Sequence, residues 1–325
     1  MAVRVKVKRG KPTPVRFTAD DFAHPDERRA KRTGVGLGVG AIAVILGLLA
    51  LTGLRFPLMG AWAGWTLLAL IYYTRGSNRS ELRRLAGGRG ASRAMPDSLA
   101  ETAATQGRTL GVLAGVVLAG EAQELVTVGN TVVVPASLTE RLNRAEMWAL
   151  VAREMGRLKA GHIGLLSLCR RVEEERNMLL RGLAFPLRAL VRALANWRWF
   201  AALTADRMAM VLTRNRRVVA AALLKQATAG VEGITTAEID EYLRRQGGVI
   251  AQSADVTTHF KLGEVLRERE GLLLRLRGIG QYAEAEEYKR ACERLDAAYR
   301  KAQKTADRIP LPAGDDPPDQ PQPPG

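Results

Sequence analysis

Histidine and cysteine are the scarce residues of this 325-residue chain: His24, His162 and His259 are its three histidines, Cys169 and Cys292 its two cysteines. Two cysteines far apart in sequence build no disulfide framework and form no C-x-x-C pair, so both read as reduced structural thiols. Three histidines leave little material for a histidine-ligated metal. Acidic residues are short as well: 33 Asp and Glu face 49 Lys and Arg, for a formal net charge of +16 and a pI near 10.5. Such an excess points to an anionic neighbour, whether lipid head groups, nucleic acid or an acidic protein. No finger, RNP-like or helix-turn-helix pattern accompanies the charge, which makes nucleic acid the least suitable of these. The length suffices for one large domain or two small ones.

What the chain does have is long runs without charge. Gly34 to Leu54 and Phe56 to Thr74 are separated by Arg55 alone. Each is long enough, as a helix, to cross a hydrocarbon core of about 30 Å. The expectation is a transmembrane helical hairpin over residues 34–74, with Trp62, Trp65, Tyr72 and Tyr73 as interfacial anchors. Arg28, Arg29, Lys31 and Arg32 precede it and Arg75, Arg79, Arg83 and Arg84 follow. Positive flanks stay inside, so both termini and the large domain are expected in the cytoplasm of an integral inner- or plasma-membrane protein. The basic excess then binds anionic membrane lipids. Gly36-x-x-x-Gly40 and Gly60-x-x-x-Gly64 either let two helices pack closely or reflect a glycine-rich stretch; both readings stand.

The rest divides by composition. Residues 1–33 read as a basic solvated arm, 75–94 as an Arg/Gly/Ser-rich linker, 95–280 as the main domain and 281–308 as a charged helix. Residues 309–325 hold seven of the 14 prolines and read as a disordered, extended tail. The expected fold class is mainly α with a small β-sheet. Strand patterning runs from Thr109 to Val134, with Gly129-Asn130 as a turn. Asn143-Arg144-Ala145-Glu146 is a capping box that opens a helix whose Trp148, Val151 and Met155 share one buried face. Met178 to Leu203 sets Arg181, Arg188 and Arg192 opposite leucines, with Pro186 between. That pattern suits a helix in a membrane interface, or a core helix with a solvated arginine face.

The capped helix carries Arg153-Glu154-Met155-Gly156-Arg157, which becomes H-E-x-x-H, the zinc-protease signature, if histidine stands at both ends. Around it, Thr131 to Leu138 precedes the helix, Gly161-His162 follows it, Ala205-Asp206-Arg207 matches part of E-x-x-A-D-R, and Thr258-His259 comes later. Together with the apolar hairpin this order resembles the HtpX-like family of membrane zinc metallopeptidases, over roughly Pro96 to Arg269. The resemblance implies a zincin-like metallopeptidase fold, a zinc cofactor, Glu154 as general base and Asp206 as a residue supporting the metal ligands.

The departures fall on the ligands. Arg153 and Arg157 stand at the two histidine positions, and Ala202 stands where the family has its ligating glutamate. Zinc needs N, S or O ligands at about 2.0–2.3 Å; a guanidinium has no lone pair to give and alanine has nothing. His162 lies half a turn from Arg153 and about 140° from Arg157, too far round to replace either. No zinc is therefore expected. The two guanidiniums are expected to pair with Glu154, with Asp206, or with Glu173, Glu174 and Glu175.

Three functions compete. A catalytically inactive homologue acts as a binding, regulatory or scaffold protein at the membrane, in quality control for example, and holds a protein partner or unfolded polypeptide. Its peptide would pair with an edge strand within Glu124, Val126, Val128, Val132 and Val134. An active peptidase uses unrecognised metal ligands. A basic surface module binds lipid or nucleic acid.

Overall fold

The computed structural model describes residues 17–51, 97–112, 115–119, 125–175, 185–229, 234–245 and 270–306, with scattered helical positions between 61 and 71. In chain order the elements are α1 (Glu27–Leu51), α2 (Asp97–Leu110), β1 (Gly115–Ala119), β2 (Val126–Val128), β3 (Thr131–Pro135), α3 (Ala136–Arg141), α4 (Arg144–Lys159), α5 (Ile163–Glu174), α6 (Phe185–Ala193), α7 (Ala195–Thr213), α8 (Arg216–Ala227), α9 (Thr236–Arg245), α10 (Glu270–Glu284) and α11 (Glu286–Ala306). The fold is mainly helical with one small sheet.

Helices α4 and α7 form the centre. The capping box starts α4: Glu146 N–H donates to Asn143 Oδ1 at 2.9 Å, and Asn143 N–H donates back to the Glu146 carboxylate at 2.9 Å. Gly161, at φ +70°, turns the chain after its end, where L side chains are strained. Val151, Ala152 and Met155 of α4 and Ala205, Met208 and Ala209 of α7 are all fully buried where these two helices pack. A Cβ on Gly156 would lie 2.6 Å from Met208 Cβ, so glycine is what lets the two axes approach this closely. α8 packs on α4, and α10 packs on α7.

The sheet has the order β1-β3-β2, with β1 parallel and β2 antiparallel to β3. Gly129, at φ +59°, and Asn130 form the β2–β3 turn, as the strand pattern predicts. Val132 and Val134 lie on the central strand; Val132 pairs with Val116 of β1 and Thr127 of β2, and Val134 with Leu118 of β1. β3 thus lies between two strands and is not an edge of this sheet, so Val132 and Val134 are not on a peptide-pairing edge. β2, with Val126 and Val128, is an edge among the described residues, and Glu124 lies outside them. The patterned stretch also begins too early: Thr109 and Leu110 close α2.

The N-terminal region differs most from expectation. Among the described residues no helix is long and apolar enough to cross a membrane, so the transmembrane hairpin expected over 34–74 is not supported. α1 begins at Glu27, inside the expected solvated arm, and its first turns carry Arg28, Arg29, Lys31 and Arg32. Those turns are packed into the domain against α6 and α7. The glycines that permit this are Gly34 and Gly38, not Gly36 and Gly40. A Cβ on Gly34 would meet Ala193 O at 2.7 Å and one on Gly38 would meet Leu190 Cδ1 at 2.5 Å, whereas nothing lies within 4 Å of Gly36 or Gly40. Phe17 and Phe22, ring centroids 5.7 Å apart, are buried, so this part of the arm belongs to the core.

Within 178–203, the described part from residue 185 onward packs in the same way. Leu187, Val191, Leu194 and Trp197 are buried with Leu168, Cys169 and Val172 of α5. Their apolar face covers protein rather than lipid. The chain breaks between α6 and α7 at Leu194 and not at Pro186, which sits in the first turn of α6, where a missing N–H costs little. Most of 56–74, the 75–94 linker, Thr258-His259 and the 309–325 tail lie outside the described residues.

Candidate functional site

At the crossing of α4 with α7, five charged side chains are gathered. Glu154 is fully buried, and both its oxygens are taken. Thr127 Oγ1, from β2, donates to Oε2 at 2.7 Å. Arg157 Nη1 donates to Oε1 at 2.7 Å, and Arg153 Nη1 lies 3.5 Å from the same oxygen. Asp206, on α7, is 1% exposed and accepts from two arginines. Arg153 Nε donates to Oδ1 at 2.9 Å, and Arg275, from α10, donates through Nε and Nη2 at 2.7 and 2.8 Å. This bidentate fork is the strong form of a guanidinium–carboxylate contact.

The electrostatics follow from the gathering. Burial pulls Arg153 down to about 9, with the like charges of Arg157 and Arg275 acting in the same direction; Asp206 and Glu154 oppose them. Asp206 is pushed up by burial, but Arg275 and Arg153 outweigh that and hold it below the usual aspartate value. Burial also lowers Arg275, and the Asp206 contacts more than reverse the effect. Arg153 and Asp206 are thus both ionised near neutral pH.

Such a donor set does not fit a metal. Arg153 and Arg157 present N–H groups where a cation needs lone pairs, and those N–H groups already point at carboxylates. Ala202 lies one turn before Asp206 on α7 and brings no ligand. Among the described residues no three His, Cys, Asp or Glu side chains converge as a metal-binding group.

The other sequence candidates lie elsewhere. Glu173 pairs with Arg198 and Glu174 lies 4.0 Å from Arg170, at the exposed end of α5. Glu175 follows as the residue that ends that helix. No hydrogen bond or ion pair joins these three to Arg153 or Arg157 among the contacts described.

Sequence reasoning missed two members. Thr127 was legible in principle, as the one polar residue between Val126 and Val128 on a half-buried strand. Arg275 was not, because 69 residues separate it from Asp206.

It also missed a second buried cluster. Glu27 accepts from Thr204 Oγ1 at 2.5 Å, and its other oxygen lies 2.5 Å from His162 Nε2. His24 N–H donates to Thr204 Oγ1 at 2.9 Å. Burial pushes the Glu27 carboxyl up, yet the His162 and Thr204 contacts bring it below its ordinary value. His162, which follows α4 in the family-like Gly161-His162 pair, is here a clamp on α1.

The chain is 29% identical over 180 residues to plastoglobule-localized metallopeptidase 48, chloroplastic, of Arabidopsis thaliana, a match covering 51% of this chain and 48% of that protein. It therefore spans about half the length of the curated relative it matches. No protein-family profile matches the chain, and no solved structure does. That relative is named for plastoglobules of the chloroplast. No candidate span is found among the described helices, so the expected integral-membrane location is not supported. By sequence, then, the chain is similar to a metallopeptidase, at a distance.

Proposed function

We propose that this chain is a pseudopeptidase: a metallopeptidase-like protein, of HtpX-like descent, in which an arginine–carboxylate cluster replaces the metal and the protein binds rather than cleaves. One observation carries the reading, namely the pairing of Arg153 with Asp206 and of Arg157 with Glu154 at the two former ligand positions. Zinc supplies a water of lowered pKa and polarises the scissile carbonyl. Arginines that are hydrogen-bonded to the base and its neighbour supply neither. What they do supply is cohesion, tying α4, α7 and α10 together through Asp206 and α4 to β2 through Glu154 and Thr127.

The binding role rests on β2. A polypeptide pairing with its free edge would use backbone hydrogen bonds and needs no metal. β2 reaches Glu154 through Thr127, so an edge-bound chain would lie beside the arginine cluster.

The experiment is metal analysis of purified full-length protein together with incubation on casein. The expected result is well below one zinc per chain and intact substrate. Stoichiometric zinc that survives desalting, with cleavage abolished by Glu154→Gln, would overturn the proposal. In the converse direction, Arg153→His, Arg157→His and Ala202→Glu together restore a three-ligand set, and this variant is expected to bind zinc.

A further inference from the structure

Nine large apolar side chains stand exposed among the described residues, and eight of them lie on two stretches. Val35, Leu37, Val39 and Val44 are on α1; Trp65, Leu67, Leu68 and Ile71 are at the helical positions between 61 and 71. On α1 the exposures are 40%, 63%, 59% and 62%, a concentration that single scattered surface residues do not produce. Their directions decide what suits them. Gly34 and Gly38 face α6. At about 100° per residue, Val35 and Val39 fall on one flank of that seam, and Leu37 and Val44 on the other. The back of the helix carries Gly36, Gly40 and Gly47, with nothing within 4 Å of where a Cβ would stand. The seam takes one side of α1 and leaves the other sides apolar and open. A protein groove covers one face of a helix, whereas an apolar medium surrounds it.

The first turns of α1 have the opposite character. Arg28, Arg29, Lys31 and Arg32 are all exposed. Arg28 pairs with Asp20 and Lys31 lies over the Trp197 ring, while Arg29 and Arg32 have no acidic partner among the described residues. Arg28, Arg32, Val35 and Val39 follow at steps of four, three and four, so one flank passes from charge to hydrocarbon at Gly34.

We propose that α1 docks the protein on an anionic lipid surface, with Val35, Leu37, Val39 and Val44 dipped into one leaflet and the arginines of its first turns among the head groups. From Arg32 to Val44 the helix rises about 18 Å, comparable with the roughly 15 Å of hydrocarbon in a single leaflet, so this length enters the lipid without crossing it. Charge complementarity selects the lipid class, because exposed cations at the head-group level attract acidic phospholipid. A second copy of the chain fits less well: it covers one side of α1 at most and brings the same cations with it. The inference goes beyond the pseudopeptidase reading and does not depend on it.

The test is flotation of the full chain, synthesised cell-free in the presence of vesicles. The chain is expected to float with phosphatidylcholine vesicles containing about one-third phosphatidylglycerol, and much less with phosphatidylcholine alone. Arg29→Gln and Arg32→Gln should each weaken binding about fivefold and flatten its dependence on salt. Leu37→Asp and Val44→Asp replace exposed side chains, so circular dichroism and the melting of the domain should stay as in the parent. Each should nevertheless weaken flotation by about tenfold or more. Recovery in the lipid-free fraction with both kinds of vesicle would overturn the inference, as would a Val44→Asp variant that floats like the parent. Lipid-free self-association that Val44→Asp abolishes would assign the face to a second copy instead, and would overturn it too.

Discussion

Thr204 and Asp206 stand two residues apart on α7, about 200° apart around its axis, and each anchors a different buried cluster. On the Thr204 side one carboxylate, Glu27, meets a hydroxyl and an imidazole, and each of its oxygens has one partner. On the Asp206 side two carboxylates meet three guanidiniums. The first cluster joins an N-terminal helix to the domain and carries little surplus charge. The second sits at the place where the peptidase resemblance expects a metal, and its surplus is positive. The difference teaches that removing an acid means different things on the two sides. Without Glu27 the partners left behind are able to be neutral; without Asp206 two guanidiniums remain charged in a buried space.

The comparison breaks hardest at Asp206. Asp206→Ala leaves Arg153 and Arg275 without their shared acceptor, and the expected loss is about 3–5 kcal/mol in urea unfolding. A loss below about 1 kcal/mol would mean that water reaches the cluster, and its two halves would then no longer differ in kind.

Thr204→Val removes a donor to Glu27 and the acceptor of His24 N–H without changing shape. It should cost about 1–3 kcal/mol, less than Asp206→Ala because no charge is stranded. Acid tests both sides together. Glu27 and Asp206 lie below their ordinary values of 4.5 and 3.8 in the folded protein, so the unfolded chain binds more protons as pH falls past those values. Their contribution is complete above about pH 4.5 and is lost as pH falls through the lowered folded values. Midpoints followed by circular dichroism should show this as a steeper decline below about pH 4.5, beyond a shallower one that begins near pH 6.5, where burial and Arg207 keep His24 harder to protonate than in the unfolded chain. In Thr204→Val, the decline attached to Glu27 should shrink. An unchanged acid limb would argue that Thr204 does nothing for the carboxylate.

Gly38→Val tests the seam between α1 and α6. Its Cβ would meet Leu190 Cα at 3.1 Å as well as the side chain, so backbone must shift, at about 1–3 kcal/mol. Gly36→Ala, with open space around it, should instead stabilise α1 by about 0.5–1 kcal/mol. Limited proteolysis near the N-terminus would report both, and equal effects at the two glycines would refute the packing described.

The smallest change belongs to Glu173. Glu173→Ala removes an exposed partner of Arg198 and should cost less than about 1 kcal/mol. A larger loss would move Glu173 into the set of acids that hold the arginine centre together.

By itself the sequence determined the local features: the Asn143–Glu146 cap, the Gly129-Asn130 turn, the helical class with a small sheet, and a stretch spaced like H-E-x-x-H with Arg153 and Arg157 at its ends. These are legible because caps, turns and motif spacings depend on residues within a few positions of one another. Tertiary structure decided which acids the arginines meet, drawing Asp206 from α7 and Arg275 from α10, and passing over Glu173 to Glu175. It also decided that the charge-free run from Gly34 continues a domain helix begun at Glu27, because Gly34 and Gly38 find α6 and Glu27 finds His162 and Thr204. An apolar face looks the same in one dimension whether lipid or protein covers it. Which of them does so is settled by partners more than a hundred residues away.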